Sequence, residues 1–364
     1  MGILQATSPP PVAAADVARV LICDDSVVIR GALARMLESD PSIRVVGRAG
    51  NGRVAIEAIK REPVDVMLLD IEMPEMDGLT ALPLLLRADP GLRVIMASTL
   101  TTRGADIAMQ ALRLGAADYV PKPSVAAIND DSFRRELLAK VKGLARHRNR
   151  LRPVQPAVPA LRVVPRGGLQ QAPALLAIGS STGGPQALFT FFQRLSAPLP
   201  VPVVLTQHMP PTFTPILAEH IGRIGAMPCA ELRDGAPLLA GHIHLAPGDR
   251  HLLVEGRPGA LIGRLSDGPP ENFCRPAVDP MLRSAAAACG GRVLVVMLTG
   301  MGHDGLAGTR QVVEAGGMAL AQDEASSVVW GMPGAVANAG LCQAVLPIGA
   351  IAGRVVDILR GSRA

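Results

Sequence analysis

Residues 66–70 read Val66-Met67-Leu68-Leu69-Asp70, four apolar side chains in a row closed by a carboxylate. A run this short and this apolar is a strand buried on both faces, the kind found in parallel sheets covered by helices. A carboxylate at its end falls where ligands bind in such sheets, beyond the carboxyl ends of the strands. The pattern recurs on either side. Val20–Cys23 runs into Asp24 and Asp25, Ile43–Val46 follows, Val94–Ala97 leads to Ser98 and Thr99, and Asp118–Val120 leads to Lys122. Longer segments with helical periodicity separate these runs, and a last helix is expected over Asp131–Leu144. Five β/α units in succession predict a five-stranded, doubly wound parallel sheet.

The chain continues well past this unit. Its 364 residues suffice for two domains with separate cores, and an apolar fraction of 49% excludes disorder over most of the length. Aromatic residues make up only 2%, so the cores must be built from Ala, Val, Leu, Ile and Met, and base stacking on aromatic platforms is excluded as a binding mode. Six arginines and no acid lie between Arg146 and Arg166, a stretch that accounts for the net charge of +5. A basic tether explains this excess without a nucleic-acid partner. Five scattered cysteines (Cys23, Cys229, Cys274, Cys289 and Cys342) form no C-x-x-C pair and read as reduced thiols of a cytoplasmic protein. Pro9, Pro10 and Pro11 interrupt the N-terminus, which lacks the pattern of a signal peptide. No apolar run is long enough to span a bilayer, so no membrane insertion is expected, and the chain is expected to be a monomer.

Residues 1–17 read as a Pro/Ala tail, 18–145 as the first domain and 146–172 as a basic, Pro-rich linker. Residues 173–360 form a second α/β domain, with a mainly parallel sheet and a few added antiparallel strands. Its buried strands are Leu175–Ile178, Val203–Thr206 and Val293–Leu298, while His242–Leu245, His251–Glu255 and Leu261–Arg264 read as short, hairpin-like additions.

Folding of the first domain gathers Asp24, Asp25, Asp70, Ser98 and Lys122 at one sheet edge. Three carboxylates together repel one another unless a hard cation joins them, and oxygen ligands suit Mg²⁺. A carboxylate beside such a cation can attack a phosphoryl group, with the metal and Lys122 stabilising the developing charge. A single acid at a strand end is usually a solvated turn residue, but such residues at consecutive strand ends are not accounted for that way. Asp24-Asp25-Ser26, Leu69-Asp70-Ile71-Glu72-Met73-Pro74, Met76-Asp77-Gly78 and Lys122-Pro123 resemble the receiver domains of two-component response regulators, which have a flavodoxin-like fold. The resemblance implies that Asp70 accepts the phosphoryl group and that Asp24 and Asp25 hold Mg²⁺ with it. It also implies that Ser98 senses the phosphoryl group, Lys122 contacts it and Tyr119 reorients on activation.

In the second domain, Leu175–Ile178 runs into Gly179-Ser180-Ser181-Thr182-Gly183-Gly184, a G-x-S-x-G between strand and helix. A Ser181 nucleophile there is exposed near a positive helix N-terminus. A phosphate-cradling loop is the competing reading, although neither G-x-x-x-x-G-K-[ST] nor G-x-G-x-x-G is present. A seryl nucleophile needs a base, and the base an orienting carboxylate. Of seven histidines, His208 stands at the end of the buried run Val203–Gln207. Asp304 follows Val293–Leu298 through Thr299-Gly300-Met301-Gly302-His303, which makes His303 the rival base.

Gly179–Gly184, Gln207-His208-Met209-Pro210, Ala246-Pro247-Gly248-Asp249, Arg275-Pro276-Ala277-Val278-Asp279, Thr299–Gly305, Gln322-Asp323-Glu324 and Trp330–Gly334 resemble the catalytic domain of chemotaxis protein-glutamate methylesterases. That resemblance implies Ser181 as nucleophile, His208 as general base and acid, and Asp304 as orienter. Thr182 and the backbone around Met301 and Gly302 would bind the substrate or its oxyanion. The implied activity is hydrolysis of glutamyl methyl esters and deamidation of glutamines on chemoreceptors, with no cofactor for the hydrolase. The phosphodonor would be a histidine kinase of the chemotaxis type. Two positions depart from the family pattern: His303 stands where Asn is common, and Ser180 where Ala is common. A DNA-binding output domain is the reading of a different class, but no helix-turn-helix pattern follows Ala172; an idle adaptor with the same fold is a third.

Overall fold

The structure is a computed structural model that describes residues 17–99, 101–122, 131–150 and 172–361. The expected tail before residue 17 and most of the expected linker lie outside the described residues, as does Pro123. The described residues fall into two compact units, 17–97 with 131–150 and 98–122 with 172–361.

The N-terminal strands are β1 (Ala18–Cys23), β2 (Ile43–Ala49), β3 (Val66–Asp70), β4 (Arg93–Ser98) and β5 (Asp118–Pro121). The helices are α1 (Val27–Glu38), α2 (Gly52–Arg61), α3 (Gly78–Ala88), α4 (Thr102–Arg113) and α5 (Asp131–Arg150). The expected sheet is present, in the order β2-β1-β3-β4-β5. Every residue of β3 is buried, as its unbroken apolar run requires. The polar caps read directly from the sequence. Ser26, Asn51, Asp77 and Thr101 each accept a backbone N–H at the start of α1 to α4, each such cap contributing about 1 kcal/mol. Gly78 opens α3 because a Cβ there would lie 2.0 Å from the carbonyl oxygen of Asp70, so only glycine lets the helix start against the end of β3.

The C-terminal strands are β6 (Leu175–Ser180), β7 (Val203–Gln207), β8 (Cys229–Glu231), β9 (Ile243–Leu245), β10 (His251–Arg257), β11 (Ala260–Ser266), β12 (Val293–Met297), β13 (Met318–Gln322) and β14 (Ala344–Leu346). The helices are α6 (Gly184–Gln193), α7 (Thr214–Ile224), α8 (Val278–Cys289), α9 (Leu306–Glu314), α10 (Met332–Asn338) and α11 (Ile348–Leu359). Seven strands form one parallel sheet in the order β14-β13-β12-β6-β7-β9-β8.

Of the three short strands expected as hairpin-like additions, β10 and β11 do form an antiparallel hairpin. The third, β9, belongs instead to the main sheet, parallel to β7 and β8. Its register with Val203–Leu205 buries Ile243 and Leu245, the two apolar positions of an alternating pattern, and this pairing is what wins over a local hairpin.

In the second unit α4 packs on α6 and α7. The Gln186 side chain donates to Leu112 O at 2.8 Å, and the Tyr119 ring stacks on Phe213 at 4.3 Å between centroids. Among the described residues no helix is long and apolar enough to cross a membrane.

Candidate active site

The strand orders place both sites. In the first sheet β1 lies between β2 and β3; in the second β6 lies between β12 and β7. Successive connections leave each of these central strands in opposite directions, which opens a crevice beyond its carboxyl end.

At the first crevice one carboxylate oxygen from each of Asp24, Asp25 and Asp70 lies within 4.8 Å of the other two. Asp24 and Asp70 are buried and Asp25 is exposed. Two of the three have an inner oxygen already held, Asp24 Oδ1 by Ser26 N at 2.8 Å and Asp70 Oδ1 by Ile71 N at 2.9 Å. Three anionic oxygens converging on one point are the donor set of a hard divalent cation. Ser98 is buried and donates its hydroxyl to Gly104 O at 2.7 Å, and Lys122 N donates to Ser98 O at 2.6 Å. Tyr119 is buried, with its ring on Phe213.

At the second crevice Ser181 leaves β6, His208 leaves β7 and Asp304 follows β12. Ser181 is half-buried in a turn fixed from both sides: its N–H donates to Thr299 O at 3.0 Å, and its carbonyl accepts from Gly184 N at 2.7 Å and Gln207 Nε2 at 2.9 Å. Gly300 lets the neighbouring loop approach, since a Cβ there would meet Ser181 Cβ at 2.9 Å. Thr182 is buried, and its Oγ1 makes no hydrogen bond among the described residues. Gly302 takes φ 82°, which lets the loop turn past Ser181. The single tryptophan borders this loop. Trp330 bridges Gly300 and donates Nε1 to Gln322 O at 2.8 Å, while Gln322 Oε1 accepts from Thr299 N at 2.8 Å.

His208 Nε2 lies 2.7 Å from Asp304 Oδ2. Asp304 is almost fully satisfied: Oδ2 also accepts from Val278 N at 2.6 Å, and Oδ1 accepts from Asp279 N, Gly305 N and Asn272 Nδ2 at 3.1, 2.9 and 3.0 Å. Burial works against a charged His208, but its bonds to Asp304 and Cys274 outweigh that and push its pKa up to about 10. Burial likewise works against a charged Asp304, yet His208 and the α8 amides hold it down at about 2. The other imidazole nitrogen, Nδ1, faces Cys274 Sγ at 3.4 Å. Among the described residues no hydrogen bond joins Ser181 Oγ to His208.

The rival base is set apart. His303 is exposed, and Asp304 pairs with His208 in its place. The second hydroxyl, Ser180, is buried and donates to Gln207 Oε1 at 2.7 Å, so it serves the turn rather than the cleft. Sequence reasoning assigned no role to Asn272 or Cys274. Neither lies in a periodic segment, and only the fold brings them to residues far along the chain. Asp279 was visible in a motif but not as a partner of Asn272.

A family model described as CheB methylesterase matches residues 176–355, and one described as response regulator receiver domain matches residues 20–130. A protein-glutamate methylesterase/protein-glutamine glutaminase of Azospirillum brasilense is 54% identical, over 93% of this chain and 92% of its own. One from Paramagnetospirillum magneticum is 51% identical, over 95% of this chain and 96% of its own. The solved catalytic domain of the Thermotoga maritima CheB methylesterase is 36% identical, covers 52% of this chain and all of its own (100%), and superposes with a TM-score of 0.50. With two sites at two sheet crevices and relatives matching along nearly its whole length, the chain belongs to the family of protein-glutamate methylesterases/protein-glutamine glutaminases with an N-terminal receiver domain.

Proposed function

We propose that the protein is a phosphorylation-controlled serine hydrolase that removes methyl groups from glutamyl esters of chemoreceptors and deamidates selected receptor glutamines. The observation that carries this reading is the His208–Asp304 pair at 2.7 Å, on strands flanking the one that delivers Ser181. The receiver covers 18–145 and the hydrolase 173–360, joined by the basic linker, and the protein acts in the cytoplasm as a monomer.

Ser181 Oγ attacks the ester carbonyl while His208 Nδ1 takes its proton, and Asp304 holds the imidazole through Nε2. Nδ1 must turn from Cys274 to the serine for this step. The oxyanion forms beside the backbone around Met301 and Gly302, and the Thr182 hydroxyl contacts substrate. A buried hydroxyl without a partner costs about 1–3 kcal/mol, which a substrate hydrogen bond would offset. His208 then returns that proton to the leaving methoxide oxygen, which departs as methanol, or to the leaving nitrogen of a glutamine, which departs as ammonia. Water attacks the acyl-Ser181 along the same path and releases glutamate.

Asp24, Asp25 and Asp70 would hold Mg²⁺, which when bound neutralises charge as a phosphoryl group reaches Asp70. A histidine kinase of the chemotaxis type supplies that group. Ser98 and Lys122 meet it, and Tyr119 carries the response. Phe213, under the Tyr119 ring, lies on the loop that leaves His208, so movement of that ring reaches the segment bearing the base. The test is methanol release from a methyl-esterified chemoreceptor preparation by the full-length protein and by Ser181→Ala. Release by the wild type alone supports the reading; equal release by both overturns it.

A further inference from the structure

We propose that the turn Glu271–Cys274 is a positioning element of the hydrolase, with Asn272 fixing Asp304 and Cys274 holding the second nitrogen of His208 in the resting enzyme, before it turns to Ser181. This inference rests on the hydrolase reading above.

The turn is closed by Cys274 N donating to Glu271 O at 2.8 Å and Glu271 N donating to Cys274 O at 3.1 Å. Both central residues are left-handed, Asn272 at φ 51° and Phe273 at φ 65°, which is the geometry of a type I′ turn. Asn is favoured at the first of these positions, but the second calls for Gly. Arg283 pins the turn to α8 through Glu271, Nη2 to Oε1 at 2.5 Å. The turn then meets the catalytic pair at both ends. Asn272 Nδ2 donates to Asp304 Oδ1 at 3.0 Å and to Asp279 Oδ2 at 3.1 Å, while Cys274 Sγ meets His208 Nδ1 at 3.4 Å.

Two carboxylate acceptors require that the amide nitrogen face them. Asp279 is buried, and its other oxygen accepts from Gly308 N at 2.6 Å. Asn272 is therefore the neutral donor inserted between two buried acids. The charged and titratable groups facing this assembly are His208, Asp304, Asp279 and Cys274, with Arg283 acting on both acids from α8. His303, next to Asp304 in the chain, is exposed.

The two ends of the turn act on His208 with opposite signs. Loss of the Asn272 donor leaves more negative charge on Asp304, so His208 keeps its proton to higher pH. Loss of Cys274 removes a partner of the charged imidazole, so His208 gives up its proton at lower pH.

The experiment uses the full-length protein and its variants Asn272→Gly, Asn272→Asp and Cys274→Ala. Gly and Asp both tolerate the left-handed backbone, so the turn survives. Methanol release from a peptide carrying a γ-glutamyl methyl ester is followed against pH, and the His208 imidazole is titrated by proton NMR. Asn272→Gly should lower kcat on the order of 10- to 100-fold, as supporting hydrogen bonds do elsewhere, with KM unchanged. Its His208 titration should move up in pH, further in Asn272→Asp, and down in Cys274→Ala. If all three titrate with the wild type, or if kcat falls only with the folded fraction, the turn is merely structural and the proposal fails. A wild type no faster than Ser181→Ala defeats the hydrolase reading instead, and the NMR titrations still decide the positioning.

Discussion

Ser181→Ala or His208→Ala should lower methanol release on the order of 10⁴-fold, as in other triads, without unfolding the chain. His303→Asn should be close to silent; a loss matching that of His208→Ala in the same assay would make His303 the base. The acid–base behaviour follows from one ion pair. With its pKa raised to about 10, His208 is mostly charged at neutrality, so kcat/KM should climb as pH rises from 7 towards 10, and a pH–rate profile checks this. The stability conferred on that side is fully present below the ordinary histidine range and fades as pH rises through 10. From the Asp304 side it is present above the ordinary carboxylate range and fades as pH falls through 2. The proposed triad residues Ser181, His208 and Asp304 could be singled out because strand ends and glycines mark them in the sequence. Asn272 was not, because its value comes wholly from contacts 7 and 32 positions away, which no local pattern encodes.

Elements were legible where burial leaves a pattern. The runs behind β1, β3, β6 and β12 are apolar throughout, and the structure buries them nearly completely. Three strands went unseen for two different reasons. The Met-Ala-Leu-Ala of β13 is made of helix formers, and only its pairing with β12 overrides that preference. With three residues each and no fully buried position, β8 and β14 present no hydrophobic signal. At the turn Glu271–Cys274, Phe273 combines a left-handed backbone with 91% exposure. Phe273→Gly should relieve this strain and stabilise the C-terminal unit by roughly 1 kcal/mol, or about 2–4 °C in Tm, as scanning calorimetry would register. A fall in Tm would mean that the phenyl ring contributes more than the backbone conformation costs.

For the molecule as a whole, if residues 146–172 form the linker expected from the sequence, phosphorylation should act through folded surfaces, since a long tether does not transmit a small shift. A hydrolase lacking the residues before about Ala172 should therefore release methanol faster than the unphosphorylated full chain at equal concentration. If the shortened enzyme is slower, the receiver activates rather than inhibits. Asp70→Asn should fold but ignore a small phosphodonor. Chelating Mg²⁺ should abolish phosphorylation and spare basal ester hydrolysis, because a Ser-His-Asp triad needs no metal; joint loss would contradict the independence of the two sites. The presence of two sheets was legible from the spacing of apolar runs, whereas the packing of α4 on α6 and α7 was not, because nothing in α4 distinguishes the face it presents.

Trp330 gives the chain a built-in optical probe. As the single tryptophan, bridged to Gly300 and bonded to Gln322, it reports on the loop that borders Ser181. Excited at the red edge of protein absorption, its emission should shift when an acyl group or inhibitor fills the serine site.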